Sequence, residues 1–307
     1  MSSFLTALIT VGIMLFYAVP GYLLVKSGLV KGDNIPAFAR LLMYVCQPML
    51  VIYSFYQVDF SLDMVKKMVF AFLFILIAII AILLIFTLVF KKKQEDTRYR
   101  IYVIATSFSN CAFMGVPVLQ ALLPDYPEAV AFSAMFSLAM NIVGWSFASF
   151  LITRDKRFIS PKKIFLNPCV ISLVVAIPLF ISGLTLPTQI SDVVTLLAKM
   201  TTPLCMLIMG MRLACASLKS VVNSPMQYLI IAIKQLIVPL LVLVALIPFP
   251  VEPMLKQSIF IMFACPVASV VLNLAEMLEN GQETSANLVL LGTGLSVITL
   301  PVMCLLI

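Results

Sequence analysis

The sequence predicts an all-α membrane protein: ten transmembrane helices, built as two inverted repeats of five. Three observations lead there. Of its 307 residues, 63% are hydrophobic and 11% charged, and the mean hydropathy is +1.14. A water-soluble fold of this size cannot enclose that much apolar surface. The apolar residues recur in runs near twenty long, each enough to span roughly 30 Å of hydrocarbon. Finally, lysine and arginine alternate between successive connections, and a shift of 155 residues lays one half of the chain on the other.

In order, the expected spans are Phe4 to Val25, Ala37 to Tyr56, Met68 to Phe90, Tyr99 to Leu123 and Ala129 to Thr153, then Ile164 to Ser182, Ile190 to Met211, Met226 to Ile247, Leu255 to Leu278 and Ala286 to Leu306. The stretch from Met1 to Gly28 has no basic leader and too long an apolar run for a signal peptide, so it reads as a retained first span. The first connection holds Lys26, Lys31 and Arg40; the third holds Lys91, Lys92, Lys93, Arg98 and Arg100; the fifth holds Arg154, Lys156, Arg157, Lys162 and Lys163; the seventh holds Arg212 and Lys219. The even connections carry only Lys66, Lys67 and Lys256. Basic residues in short loops stay cytoplasmic, so both termini are expected outside a multi-pass protein of the plasma or bacterial inner membrane.

At the offset of 155, Ser27-Gly28-Leu29 falls on Ser182-Gly183-Leu184, Leu41-Leu42 with Pro48 on Leu196-Leu197 with Pro203, and Ile104 and Phe108 on Ile259 and Phe263. Five spans per half force the second copy to enter the membrane upside down. That divides the chain into residues 1–155 and 156–307, the inverted-repeat plan of secondary transporters, whose sites lie near the midplane where broken helices meet.

Other classes are disfavoured. The net charge of +7 is dispersed over short loops rather than gathered into a nucleic-acid-binding face. Seven cysteines lack the spacing of a disulfide framework or zinc site, and without histidine the commonest metal ligand and general base is absent, so no metal, cofactor or enzyme activity is expected. No phosphate-binding G-x-x-x-x-G-K-[ST] loop supports an ATP-driven pump.

The chemistry is expected in the fourth and ninth spans. Ser107-Phe108-Ser109-Asn110-Cys111-Ala112-Phe113-Met114-Gly115-Val116-Pro117 puts glycine and proline in mid-span, suited either to a simple kink or to a helix opened near Phe113. An opened helix presents N–H groups that suit a carboxylate, with the Asn110 amide beside them. The ninth span matches it with Cys265-Pro266 and, just beyond, Ser269. Lys199 and Lys234 lie deep in the seventh and eighth spans, either as counter-charges for an anion or bonded to carbonyls of a broken helix. Asn141 and Trp145 share a face of the fifth span and read first as packing. The carboxylate nearest a span interior is Glu276.

Asn110, Phe113, Gly115 and Pro117 form an Asn-x-x-Phe-x-Gly-x-Pro pattern. With Gly210-Met211-Arg212-Leu213, the ninth-span proline and the five-plus-five layout, it resembles the auxin efflux carrier family, which includes plant PIN-type auxin exporters and bacterial carriers annotated for malonate or malate. The resemblance implies spans 4 and 9 crossing at their prolines, with Asn110, Pro117 and Pro266 at the crossing. It implies an elevator-type transport domain of spans 3 to 5 and 8 to 10, and a dimerising scaffold of spans 1, 2, 6 and 7. The expected function is secondary transport of a small organic anion, a mono- or dicarboxylate, coupled to protons, to sodium or to nothing. The alternative is an anion channel or uniporter driven by membrane potential alone, worth about 2.3 kcal/mol per charge per 100 mV.

Overall fold

A computed structural model describes residues 2–158, 162, 165–184, 186–222 and 224–307. Among the described residues the chain is helical, without strands. The principal helices are α1 (Ser3–Lys26), α2 (Gly32–Tyr56), α3 (Leu62–Val89), α4 (Thr97–Ser107), α5 (Cys111–Leu122), α6 (Glu128–Thr153), α7 (Pro168–Ser182), α8 (Thr188–Cys215), α9 (Pro225–Leu246), α10 (Pro253–Ala264), α11 (Ser269–Met277) and α12 (Gln282–Leu306). Seven of them, α1, α2, α3, α6, α8, α9 and α12, are long and apolar enough to cross a membrane. The expected sixth span falls on the shorter α7, and the expected fourth and ninth fall on the interrupted pairs α4/α5 and α10/α11.

The expected start of the sixth span, Ile164, lies outside the described residues, as does Lys163. The described α7 begins at Pro168, where Asn167 Oδ1 accepts the Cys169 N–H at 2.9 Å. A side-chain cap followed by proline at the first turn fixes that start.

Proline accounts for three of the four widened turns among the described residues, the one at Gly144–Ala148 having no proline after it. Widened, π-type turns at Leu42–Cys46, Cys111–Gly115 and Ile233–Ile237 each end two residues before a proline, Pro48, Pro117 and Pro239. A proline in a regular helix loses one hydrogen bond and drives its ring into the carbonyl four residues back, costing about 3 kcal/mol. Widening the turn gives that carbonyl room and turns the preceding side chains to a new face.

Packing divides unevenly. The second half of α1 lies against α8, α2 against α7 and α8, α3 against α6, and α9 against α10. The α1–α8 contact is backbone on backbone: a Cβ on Gly210 would fall 1.8 Å from the Ala18 carbonyl oxygen, and one on Gly21 2.0 Å from that of Leu207. Where lipid supplies no hydrophobic drive between helices, this close approach supplies dispersion contact instead.

Candidate functional site

The expected fourth span is interrupted at Phe108–Asn110 rather than near Phe113. Phe108 is extended (φ −93°, ψ 121°), and Asn110 (φ −76°, ψ 52°) precedes the wide turn that begins α5. The wide turn Cys111–Gly115 absorbs Pro117 without breaking the helix, so the opening moves N-terminal to it. The ninth span opens across Cys265–Ala268, both ends extended. These two openings pair antiparallel, as a single β-bridge between Ser109 and Val267. The Asn110 N–H donates to the Pro266 carbonyl at 2.8 Å, and the Ala268 N–H to the Phe108 carbonyl at 3.1 Å. Each opening thus satisfies backbone groups the other frees, which matters where an unpaired group costs several kcal/mol.

Lys234 closes the arrangement. The wide turn in α9 directs Lys234 and Gln235 inward, both fully buried. The Lys234 ammonium donates to Ser109 Oγ at 2.5 Å and to the Phe263 carbonyl at 2.8 Å, with its nitrogen 5.7 Å from the Phe263 ring centroid. One cation therefore ties both broken strands to α9, held by oxygen dipoles rather than by a carboxylate. Gln235 donates to the Gly292 carbonyl at 2.7 Å and accepts from Thr299, fixing α9 to α12.

Asn110 is 3% exposed, and its Nδ2 has no hydrogen-bond partner among the described residues. Its carbonyl takes the N–H groups of Met114 and Gly115, each at 3.1 Å. Leaving a buried amide donor unpaired costs about 1–3 kcal/mol. Gly115 is needed for proximity: a Cβ there would stand 3.3 Å from Cys265 Sγ.

Four cavities follow the seam between α2 and α8 on one side and the broken helices on the other. The first, about 300 Å³, includes Tyr53, Pro117, Gln120, Lys199 and Thr202 in its lining. Another, about 640 Å³, lies at the opposite end of α2, between Asp33 and Arg212. Two small ones, about 20 Å³ each, sit at the middle of α2 around Met43. Both are lined by Phe113, whose neighbours Val116 and Pro117 face the first large cavity. Phe113 therefore stands at the closure between the two ends. Its carbonyl, deprived of a partner by Pro117, accepts Thr202 Oγ1 at 2.9 Å.

The sequence-derived residues thus fall into groups. Asn110, Cys265 and Pro266 lie at the paired openings, with Lys234 bonded to their neighbours. Pro117 and the exposed Lys199 share the 300 Å³ cavity. Ser269 joins Phe113 at one small cavity and Asn141 joins it at the other. Asn141 is already engaged, donating to the Ser137 carbonyl at 2.8 Å and accepting from Asn167 at 3.0 Å. Sequence reading took Gln47-Pro48 as a kink and gave neither Gln47 nor Asn273 a place at the site, though both line the second small cavity, and it expected Thr202 to bond a freed carbonyl without naming that of Phe113. For Thr202 the signal was present in Pro117, whose clash frees one particular carbonyl.

The sequence model of a family described as membrane transport protein, the auxin efflux carrier family, matches residues 5–304. No curated protein matches the chain.

Proposed function

Since the chain belongs to the auxin efflux carrier family of membrane transporters, we propose that it is a secondary carrier moving a small organic anion across the membrane by alternating access. The observation that carries this reading is the buried, unpartnered Asn110 amide at the paired helix openings. A carboxylate there would accept from Asn110 Nδ2 and lie close to the positive end of α5, in the field of the Lys234 ammonium. Closure at Phe113 between cavities at opposite ends of α2 favours a carrier over a channel, which keeps a continuous pore.

The reading extends to ten spans in two inverted halves, with α4/α5 and α10/α11 as the fourth and ninth. The Thr201 hydroxyl donates to the Cys46 carbonyl at 3.2 Å, joining two positions 155 residues apart, as expected beside a pseudo-twofold axis. The packing of α1 on α8 and of α2 on α7 and α8 supports a scaffold of spans 1, 2, 6 and 7, against which the other six move as an elevator. The scaffold would form the homodimer. Both termini would face outward, placing the Lys199 cavity on the outer side and the Arg212 cavity on the inner. The anion is a mono- or dicarboxylate, moved with protons, with sodium or by the membrane potential alone.

Counterflow in proteoliposomes tests this. Internal unlabelled carboxylate should drive transient, saturable accumulation of labelled carboxylate, and Asn110→Ala should cut flux at least tenfold while leaving inserted, monodisperse protein. Linear, unsaturable flux without counterflow would replace the carrier with a channel. Undiminished flux in the variant would remove Asn110 from the site.

A further inference from the structure

Arg212 ends α8 in the family-like Gly210-Met211-Arg212-Leu213 segment, and its guanidinium grips Glu276 of α11 with two bonds, Nη1 to Oε1 at 2.6 Å and Nη2 to Oε2 at 3.2 Å. The Arg212 side chain is 12% exposed and that of Glu276 42%. Glu276 lies in the last turn of α11, where the helix dipole disfavours a carboxylate, so it gains from a cation. Arg212, largely withdrawn from water, gains still more from an anion.

Two further carboxylates line the same 640 Å³ cavity, Asp33 and Glu283, and Glu283 sits in the first turn of α12, in the same proposed mobile half as Glu276. Asp33 stands in the opening turn of α2, where the dipole suits it, and it makes no ion pair among the described residues. Its neighbour Gly32 has room for a Cβ only 3.0 Å from Cys215 Sγ, so this turn sits directly against the end of α8. The backbone contact of Gly21 and Gly210 holds α1, and with it the α1–α2 turn, to α8. Asp33 is therefore carried with the α8 side of the cavity that it shares with Arg212.

We propose that Arg212 is a two-position switch at this end of the carrier: it pairs with Glu276 in the conformation described here and with Asp33 once α11 has moved away. This rests on the reading of α11 as part of the mobile half. Two discrete partners for one buried cation give two defined end states instead of a continuum, because the guanidinium is left unpaired only in between. Weakening either partner biases the equilibrium toward the other.

The seven cysteines supply a probe, because Cys215 alone is exposed and the other six are buried. Spin labels on Cys215 and on an introduced Gln282→Cys, both lining this cavity, report its width by dipolar broadening in proteoliposomes. Glu276→Gln should lower the ratio of close to separated populations about fivefold or more, the scale of an ordinary coupling between sites. Asp33→Asn should raise the same ratio, and the exchanged pair Arg212→Glu with Glu276→Arg should keep the close population of the parent. Both single substitutions moving the ratio one way, or either leaving it unchanged, overturns the switch. The measurement needs no transported anion. A label response without counterflow would therefore remove the anion reading and keep the switch, and counterflow without a label response would do the reverse.

Discussion

Replacing Lys234 by methionine separates two roles for the deepest cation in the molecule. Methionine keeps the length and apolar stem and removes the ammonium, so the Phe263 carbonyl at 2.8 Å and Ser109 Oγ at 2.5 Å lose their donor together. Ser109 can rotate its hydroxyl to a new partner, but the Phe263 carbonyl faces the opening after Ala264, where the helix supplies none. One orphaned carbonyl costs about 1–3 kcal/mol, and the lost charge-assisted bonds add about as much again. Relief of the buried charge returns a share, leaving a net loss on the order of 2 kcal/mol. For a chain of this length that is a fall of a few degrees in Tm, read by thermal unfolding in detergent. Lys234→Gln, which retains a donor, should recover part of it. Unchanged Tm with weakened carboxylate binding would refute the bracing argument and make Lys234 a counter-charge for the anion instead.

Three further outcomes follow from local geometry. Gly210→Ala places a methyl 1.8 Å from a backbone oxygen, so α1 and α8 must part, and folded yield should collapse, whereas Gly12→Ala, where a Cβ meets nothing within 4 Å, should purify like the parent. Thr202→Val strands the Phe113 carbonyl at the closure and should cost about 1–2 kcal/mol in thermal unfolding, with Thr202→Ser close to the parent; equal stability of all three would dismiss the contact. Glu95, in the loop before α4, is held below the usual carboxylate range by hydrogen bonding to Arg154 at 2.8 Å. Because its folded value is depressed, the tie is complete above the ordinary carboxylate range and is lost as pH falls through the depressed value. Amide exchange in this loop should accelerate on acidification, and Glu95→Gln should exchange fast throughout.

The legible part of this fold is what lipid dictates. Uninterrupted apolar runs gave the seven full-length candidate spans to within a few residues, except at the N-terminal ends of α2, α3 and α12, which begin four to six residues earlier than expected, and at the C-terminal end of α8, which runs four residues further. There polar first turns, such as Gln282-Glu283-Thr284, extend the helix into a zone that hydropathy does not score. Proline and glycine located the two interruptions because no other residue both removes a donor and crowds the preceding carbonyl. Their exact placement was not legible. A proline clash can be relieved by a break or by one widened turn, and which relief wins depends on whether the freed carbonyl finds a donor elsewhere. For Pro117 that donor is Thr202, from the other half of the chain.

The same logic explains why Lys234 resisted assignment as counter-charge or brace. Depth in a span was readable from its position, but the direction of the side chain was not, because the widened turn before Pro239 rotates it off the face that regular helical spacing would give. Each wide turn thus moves side chains as well as carbonyls: one sets Lys234 against both openings, and another sets Phe113 at the closure while Asn110 stays at the pairing. Proline placed two residues beyond a mid-span turn works here less as a helix breaker than as a device for re-aiming the residues before it. Pro48 should then matter in the same way for Gln47, whose amide borders a small cavity beside Phe113.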